Sequence, residues 1–117
     1  MPEFEKRRIG RTSLEVTILG LGCATLGGTR IPVTRQEAEA IVHAAWDSGV
    51  RYVDAAPYYG FGQAERAVGD ALRDEPRDAW VLSTKVGRLL PLSAGGAGAG
   101  SQASVAVGVA KTGAAGH

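Results

Sequence analysis

Three polar side chains in this 117-residue sequence have the types and spacing that proton transfer needs: Asp54, Tyr59 and Lys85. Asp54 closes the apolar stretch Tyr52-Val53, Tyr59 comes five residues later in a glycine-rich loop, and Lys85 closes Val81-Leu82-Ser83-Thr84. If those two stretches are neighbouring parallel strands, their ends lie one or two strands apart, ~5–10 Å. Carboxylate and ammonium can then pair. The remaining field of the ammonium would stabilise a nearby tyrosinate and lower a phenol pKa that is ordinarily ~10. A tyrosine tuned in this way can give a proton to a carbonyl oxygen or take one from an alcohol. Each residue also has a plain structural reading. The aspartate can cap a turn, the lysine can snorkel from a sheet edge, and the tyrosine near Pro57 can pack a turn.

Other chemistry-bearing residues lead less far. The stretch "GLGCATLGG" at 20–28 has Thr25 where Gly-x-Gly-x-x-Gly needs its third glycine, and no helix opens directly behind it. A phosphate on a helix terminus is therefore not expected there, although a loop of close approach remains possible. His43 falls mid-helix beside an apolar stripe and reads as a partly exposed structural residue. Cys23 has no neighbouring His or Cys set, so no metal site is expected. The run Lys6-Arg7-Arg8 is short enough to be a solvated strand or turn.

Parallel α/β folds place function at the C-terminal ends of strands, and the pattern of elements agrees. Residues Phe4 to Ile9 and Leu14 to Thr17 flank "GRTS", predicting a β-hairpin. Ile18 to Gly22 reads as a short strand. Thr34-Arg35-Gln36-Glu37 is a capping-box sequence, followed by Ala38, Ile41, Val42, Ala45 and Trp46 at helical spacing. Gly49 stands where that helix needs a left-handed cap. Tyr52 to Ala55 predicts a strand, Ala64, Ala67, Val68, Ala71 and Leu72 a second helix, and Trp80 to Thr84 a third strand. Strands recurring about every 30 residues with one amphipathic helix between them indicate βαβ crossovers.

Composition divides the chain near residue 92. The last 25 residues are mostly Ala and Gly, with no aromatic residue and Lys111 as the one charged side chain. Such a segment buries too little apolar surface to offset its ordering entropy. Residues 93–117 are expected to be a disordered tail, even though Val105, Val107 and Val109 alternate as in a short strand. The formal charge of +1, with acids and bases interspersed, argues against nucleic-acid and membrane-surface partners. No apolar run approaches the ~20 residues that span a bilayer. The charged N-terminus leads into no apolar signal segment, and a single cysteine suits a reducing compartment. A cytoplasmic location is expected.

The segment "GVRYVDAAPYYGFGQAERAVGDAL" resembles the first signature of the aldo-keto reductase superfamily. "RRIGRTSLEVTILGLGCATLGG" and "WVLSTKVGRLLP" are similar to its flanking segments, in the same order. The nearest resemblance is to the D-threo-aldose (L-fucose) and pyridoxal dehydrogenase group, over residues 6 to 92. It implies an α/β fold: the N-terminal third of a (β/α)8 TIM barrel, with a β-hairpin capping the base, over residues 1–92. It also implies NAD(P)-dependent oxidoreduction of aldehydes, ketones or aldoses, with Tyr59 as general acid/base and Lys85 and Asp54 completing a catalytic set. Cys23, Ala24 and Asp54 would lie on the nicotinamide side of a bound NADP or NAD, and the partner would be a small carbonyl or aldose substrate. The family's fourth catalytic residue, a histidine on the fourth strand, has no counterpart in residues 1–92, and His117 is not equated with it. A truncated reductase, inactive as the isolated chain, is therefore expected. A non-catalytic interaction module and a gene remnant are the alternatives.

Overall fold

The computed structural model describes residues 4–28, 30–87 and 106–110, the last of these as backbone only. The expected hairpin forms from β1 (Lys6–Arg8) and β2 (Glu15–Thr17), paired antiparallel with Lys6 opposite Thr17. β1 is solvent-exposed along its length, as its three cations require. The next strand, β3 (Leu21–Gly22), is shorter than the expected Ile18–Gly22. The Thr17 hydroxyl donates to the Leu19 carbonyl at 2.7 Å and turns the chain there, leaving Ile18 and Leu19 exposed.

Helix α1 (Arg35–Asp47) starts on the capping box. The Glu37 amide donates to the Thr34 hydroxyl and the Thr34 amide to the Glu37 carboxylate. Its stripe buries Ala38 and Val42 and half-buries Ala45 and Trp46, whereas Ile41, expected on the same face, is exposed. The helix needs only a narrow stripe because it meets one neighbour, α2, and the sheet. At its end Gly49 has φ 101°, its amide donates to Trp46 and the Val50 amide to Ala45. These two bonds close the helix as a Schellman motif.

β4 (Tyr52–Asp54), α2 (Gln63–Ala71), a single 3-10 turn (Arg77–Ala79) and β5 (Val81–Val86) follow. β3, β4 and β5 are adjacent and parallel, with Gly22 beside Asp54 and Asp54 beside Ser83. The βαβ expectation is met, and the apolar spacing of α2 buries Ala64, Ala67 and Val68, with Leu72 just beyond. Helices and sheet share a core of Leu26, Val42, Val53, Val68, Leu72 and Trp80.

A sixth strand, β6 (Ala106–Ala110), pairs antiparallel with β5, Lys85 opposite Val107 and Val86 opposite Ala106. These five residues fall within the 93–117 segment, where the alternation of Val107 and Val109 meets an open ladder. The rest of the tail lies outside the described residues. The same pairing carries β5 past Thr84, so Lys85 sits within the strand and not at its end. Among the described residues, no helix is long and apolar enough to cross a membrane.

Candidate active site

The parallel register brings Asp54, at the end of β4, beside Ser83 on β5. Because side chains alternate along a strand, Ser83 and Lys85 share the face from which Asp54 projects. Lys85 extends from there to Asp54, its Nζ donating to Oδ2 at 2.8 Å and to the Ala55 carbonyl at 3.1 Å. The same ammonium lies 4.9 Å from the centre of the Tyr59 ring. Burial acts against the Lys85 charge. Hydrogen bonds to Asp54 and Tyr59, with their negative forms, outweigh it and hold the ammonium above the usual lysine range.

Tyr59 is positioned by the loop between β4 and α2. Its amide donates to Ala56, its carbonyl receives the Ala64 amide at the start of α2, and its ring packs on the core. The loop then turns through Gly60, Phe61 and Gly62, all with positive φ. Gly60 meets Gly27 backbone to backbone: a Cβ built on Gly27 would stand 2.4 Å from the Gly60 Cα. Only two glycines allow that approach. It locks the loop after β3 against the loop carrying Tyr59. Part of the stretch 20–28 thus serves as a loop of close approach, and the next helix opens only at Arg35.

The structure therefore brings Asp54, Tyr59 and Lys85 into one cluster. Cys23 borders it, but through its backbone. Its amide donates to the Asp54 carbonyl, while the side chain is fully buried with Sγ 3.8 Å from the Leu21 carbonyl. Burial first, then the Asp54 charge, pushes the thiol up to about 12, against a smaller opposing effect of Lys85. A ligand on this side would meet exposed Gly22 and Ala24 and the Cys23 backbone, not the sulfur. His43 lies apart, exposed, with Nε2 2.8 Å from the Ala71 carbonyl, tying α1 to α2. Among the described residues no three His, Cys, Asp or Glu side chains gather as metal ligands. His117 lies outside the described residues.

Two members of the cluster were not singled out from the sequence, Ser83 and Tyr52. Ser83 Oγ donates to Asp54 Oδ1 at 2.5 Å, and the Tyr52 hydroxyl is 3.0 Å from Ser83 Oγ. The available signal was strand period: Ser83 precedes Lys85 by two, and Tyr52 precedes Asp54 by two.

With this geometry in hand, comparison with known proteins is specific. Residues 18–113 match the aldo/keto reductase family. The chain is 58% identical over 86 residues to pyridoxal 4-dehydrogenase of Microbacterium luteolum, covering 74% of this chain and 25% of that protein. It is 47% identical over 77 residues to D-threo-aldose 1-dehydrogenase of a Pseudomonas species, covering 66% and 23%. Among solved structures, the holo form of the aldo-keto reductase AKR11C1 from Bacillus halodurans superposes with TM-score 0.67 at 34% identity. That superposition covers 76% of this chain and 28% of the other. The chain thus spans about a quarter of the length of these relatives.

Proposed function

Because the chain belongs to the aldo/keto reductase family, we propose that Tyr59 is the general acid/base of an NAD(P)-dependent oxidoreduction, with Lys85 and Asp54 supporting it. The observation that carries this reading is the placement of one ammonium on both Asp54 Oδ2 and the Tyr59 ring. In the reducing direction the Tyr59 hydroxyl gives its proton to a carbonyl oxygen, and the Lys85 charge favours the phenolate left behind. In the oxidising direction the phenolate takes the proton of an alcohol. Asp54 keeps the ammonium in place for both.

The residues present fit the nicotinamide end of the cofactor. Exposed Gly22 and Ala24 offer open backbone beside Asp54, and a Cβ added at Gly22 would meet nothing within 4 Å. When bound, NADP or NAD would supply the hydride acceptor, and its reduced form the donor. Barrels of this class usually take their phosphate-binding loops from strands seven and eight, beyond the strands described here. The substrate class proposed is a small carbonyl compound or an aldose, a reading supported by the similarity to a pyridoxal and a D-threo-aldose dehydrogenase, and the setting proposed is the cytoplasm.

One observation favours a second reading, that the isolated chain does not turn over. β6 runs antiparallel on the β5 edge, where a (β/α)8 barrel continues with a parallel strand. Holding the reacting atoms at ~3–3.5 Å can supply ~7–11 kcal/mol, and that needs the cofactor fixed along its whole length. The test is NADPH and NADH consumption with an aldehyde panel, and NAD(P)+ reduction with aldoses. It is run on the purified chain alone and mixed with a polypeptide supplying strands four to eight of pyridoxal 4-dehydrogenase. Negligible turnover alone, with turnover in the mixture lost in Tyr59→Phe, is expected. Turnover in the mixture that survives Tyr59→Phe would remove Tyr59 from the role.

A further inference from the structure

The Asp54 carboxylate is held from both sides. Oδ2 receives Lys85, and Oδ1 receives the hydroxyl of Ser83, which is fully buried on the adjacent strand. A serine hydroxyl has a single hydrogen and an ionised carboxylate has none. The Ser83 proton is therefore committed to Asp54, and the Tyr52 hydroxyl 3.0 Å away must be the donor to Ser83 Oγ. Direction thus runs one way, from the Tyr52 phenol to Ser83 to Asp54. All three side chains leave the same face of the paired strands, Tyr52 two residues before Asp54 and Ser83 directly beside it.

We infer that Ser83, oriented by Tyr52, is a positioning residue that fixes the Asp54 carboxylate in the rotamer that presents Oδ2 to Lys85. Without the Ser83 hydroxyl, Asp54 can rotate about its side-chain bonds and its free oxygen can compete for the ammonium or turn toward solvent. The Asp54–Lys85 contact then becomes one of several arrangements, and the ammonium loses its fixed place over Tyr59. Tyr52 acts one step further out, by removing the alternative of Ser83 turning its proton elsewhere. The inference rests on the reading of Asp54, Lys85 and Tyr59 as a proton-transfer site, and its readout does not depend on turnover.

The sequence contains three lysines, Lys6, Lys85 and Lys111, so lysine-selective carbon-13 labelling of the full chain yields three side-chain titrations, with Lys85 assigned by Lys85→Arg. The charged and titratable groups facing Lys85 are Asp54 from β4, Tyr59 from the following loop and Cys23 after β3. Lys85 is expected to titrate above the usual lysine range. In Ser83→Ala its midpoint should fall by about 0.5–1 pH unit, a three- to tenfold change in proton affinity. Ser83→Thr, which keeps the hydroxyl, should restore it. Tyr52→Phe, which keeps the shape, should move it in the same direction by less. A Lys85 midpoint unchanged in a folded Ser83→Ala chain overturns the inference. If Ser83→Ala does not fold, an unchanged midpoint in Tyr52→Phe overturns it. A shift at Lys85 with turnover indifferent to Tyr59→Phe would sink the catalytic reading and leave this one standing. No shift, with turnover lost in Tyr59→Phe, would do the reverse.

Discussion

Replacing Gly27 with alanine tests whether two loops are locked together as the structure has them. The added Cβ would stand 2.4 Å from the Gly60 Cα, 2.5 Å from its nitrogen and 2.8 Å from the Tyr59 carbonyl carbon. Carbon atoms prefer ~3.5–4.0 Å, so the loops must part by roughly 1 Å or more. Every atom in the way is backbone, so no side chain can swing aside. Overpacking of this kind costs about 1–3 kcal/mol. With a urea dependence of about 1–3 kcal/mol per molar, the unfolding midpoint should fall by roughly 1 M. The displacement carries Tyr59 with it, and a misplacement of ~1 Å can cost ~100-fold in rate in the completed barrel. Gly60→Ala should cost more, because φ there is +62° and a left-handed backbone adds roughly 1–2 kcal/mol for a residue with a side chain. The double variant should cost less than the sum of the two, since the second Cβ enters space the first has opened. Gly69→Ala is the control. It lies inside α2 with nothing within 4 Å of the new carbon, and should stabilise by about 1 kcal/mol. If Gly27→Ala leaves the midpoint unchanged while Gly69→Ala raises it, the loops do not meet at these glycines and the argument for how Tyr59 is held collapses.

Thr34→Ala should lower stability by about 1 kcal/mol through loss of the capping box, and Thr34→Ser should retain most of it; chemical denaturation of the two decides. Cys23 should resist thiol reagents at pH 8 until denaturant is added, because its side chain is buried and its thiol is pushed up to about 12 from 9.0. The sign of the linked pH effect follows. Above 9.0 the unfolded chain loses this proton first, so stability should fall toward pH 12 by up to about 1.4 kcal/mol per unit. A Cys23→Ala chain with the same alkaline slope would contradict that assignment.

Local rules were enough for much of this molecule. The capping box at Thr34 and Glu37, the cap at Gly49, the spacing of α2 and the βαβ order are nearest-neighbour effects. They depend on which atoms lie within one turn or one pleat, so they can be read directly from the amino-acid order. Asp54 and Lys85 stood out for the same reason, as polar residues closing apolar runs, and Tyr59 as a phenol in the loop five residues behind Asp54. What the order of residues could not decide was who shares a face across strands. The register that sets Asp54 beside Ser83 comes from packing both strands on α1 and α2, and it makes Ser83 and Tyr52 part of the site. Burial separates Ile41 from Val42 and withdraws the Cys23 sulfur into the core, because each depends on a neighbour distant in sequence. The contact of Gly27 with Gly60 is likewise a fact of two loops meeting. Strand β6 is the clearest case. Its valines alternate in a weakly β-forming segment, and only the open edge of β5 supplies the hydrogen-bond partners that make alternation into a strand.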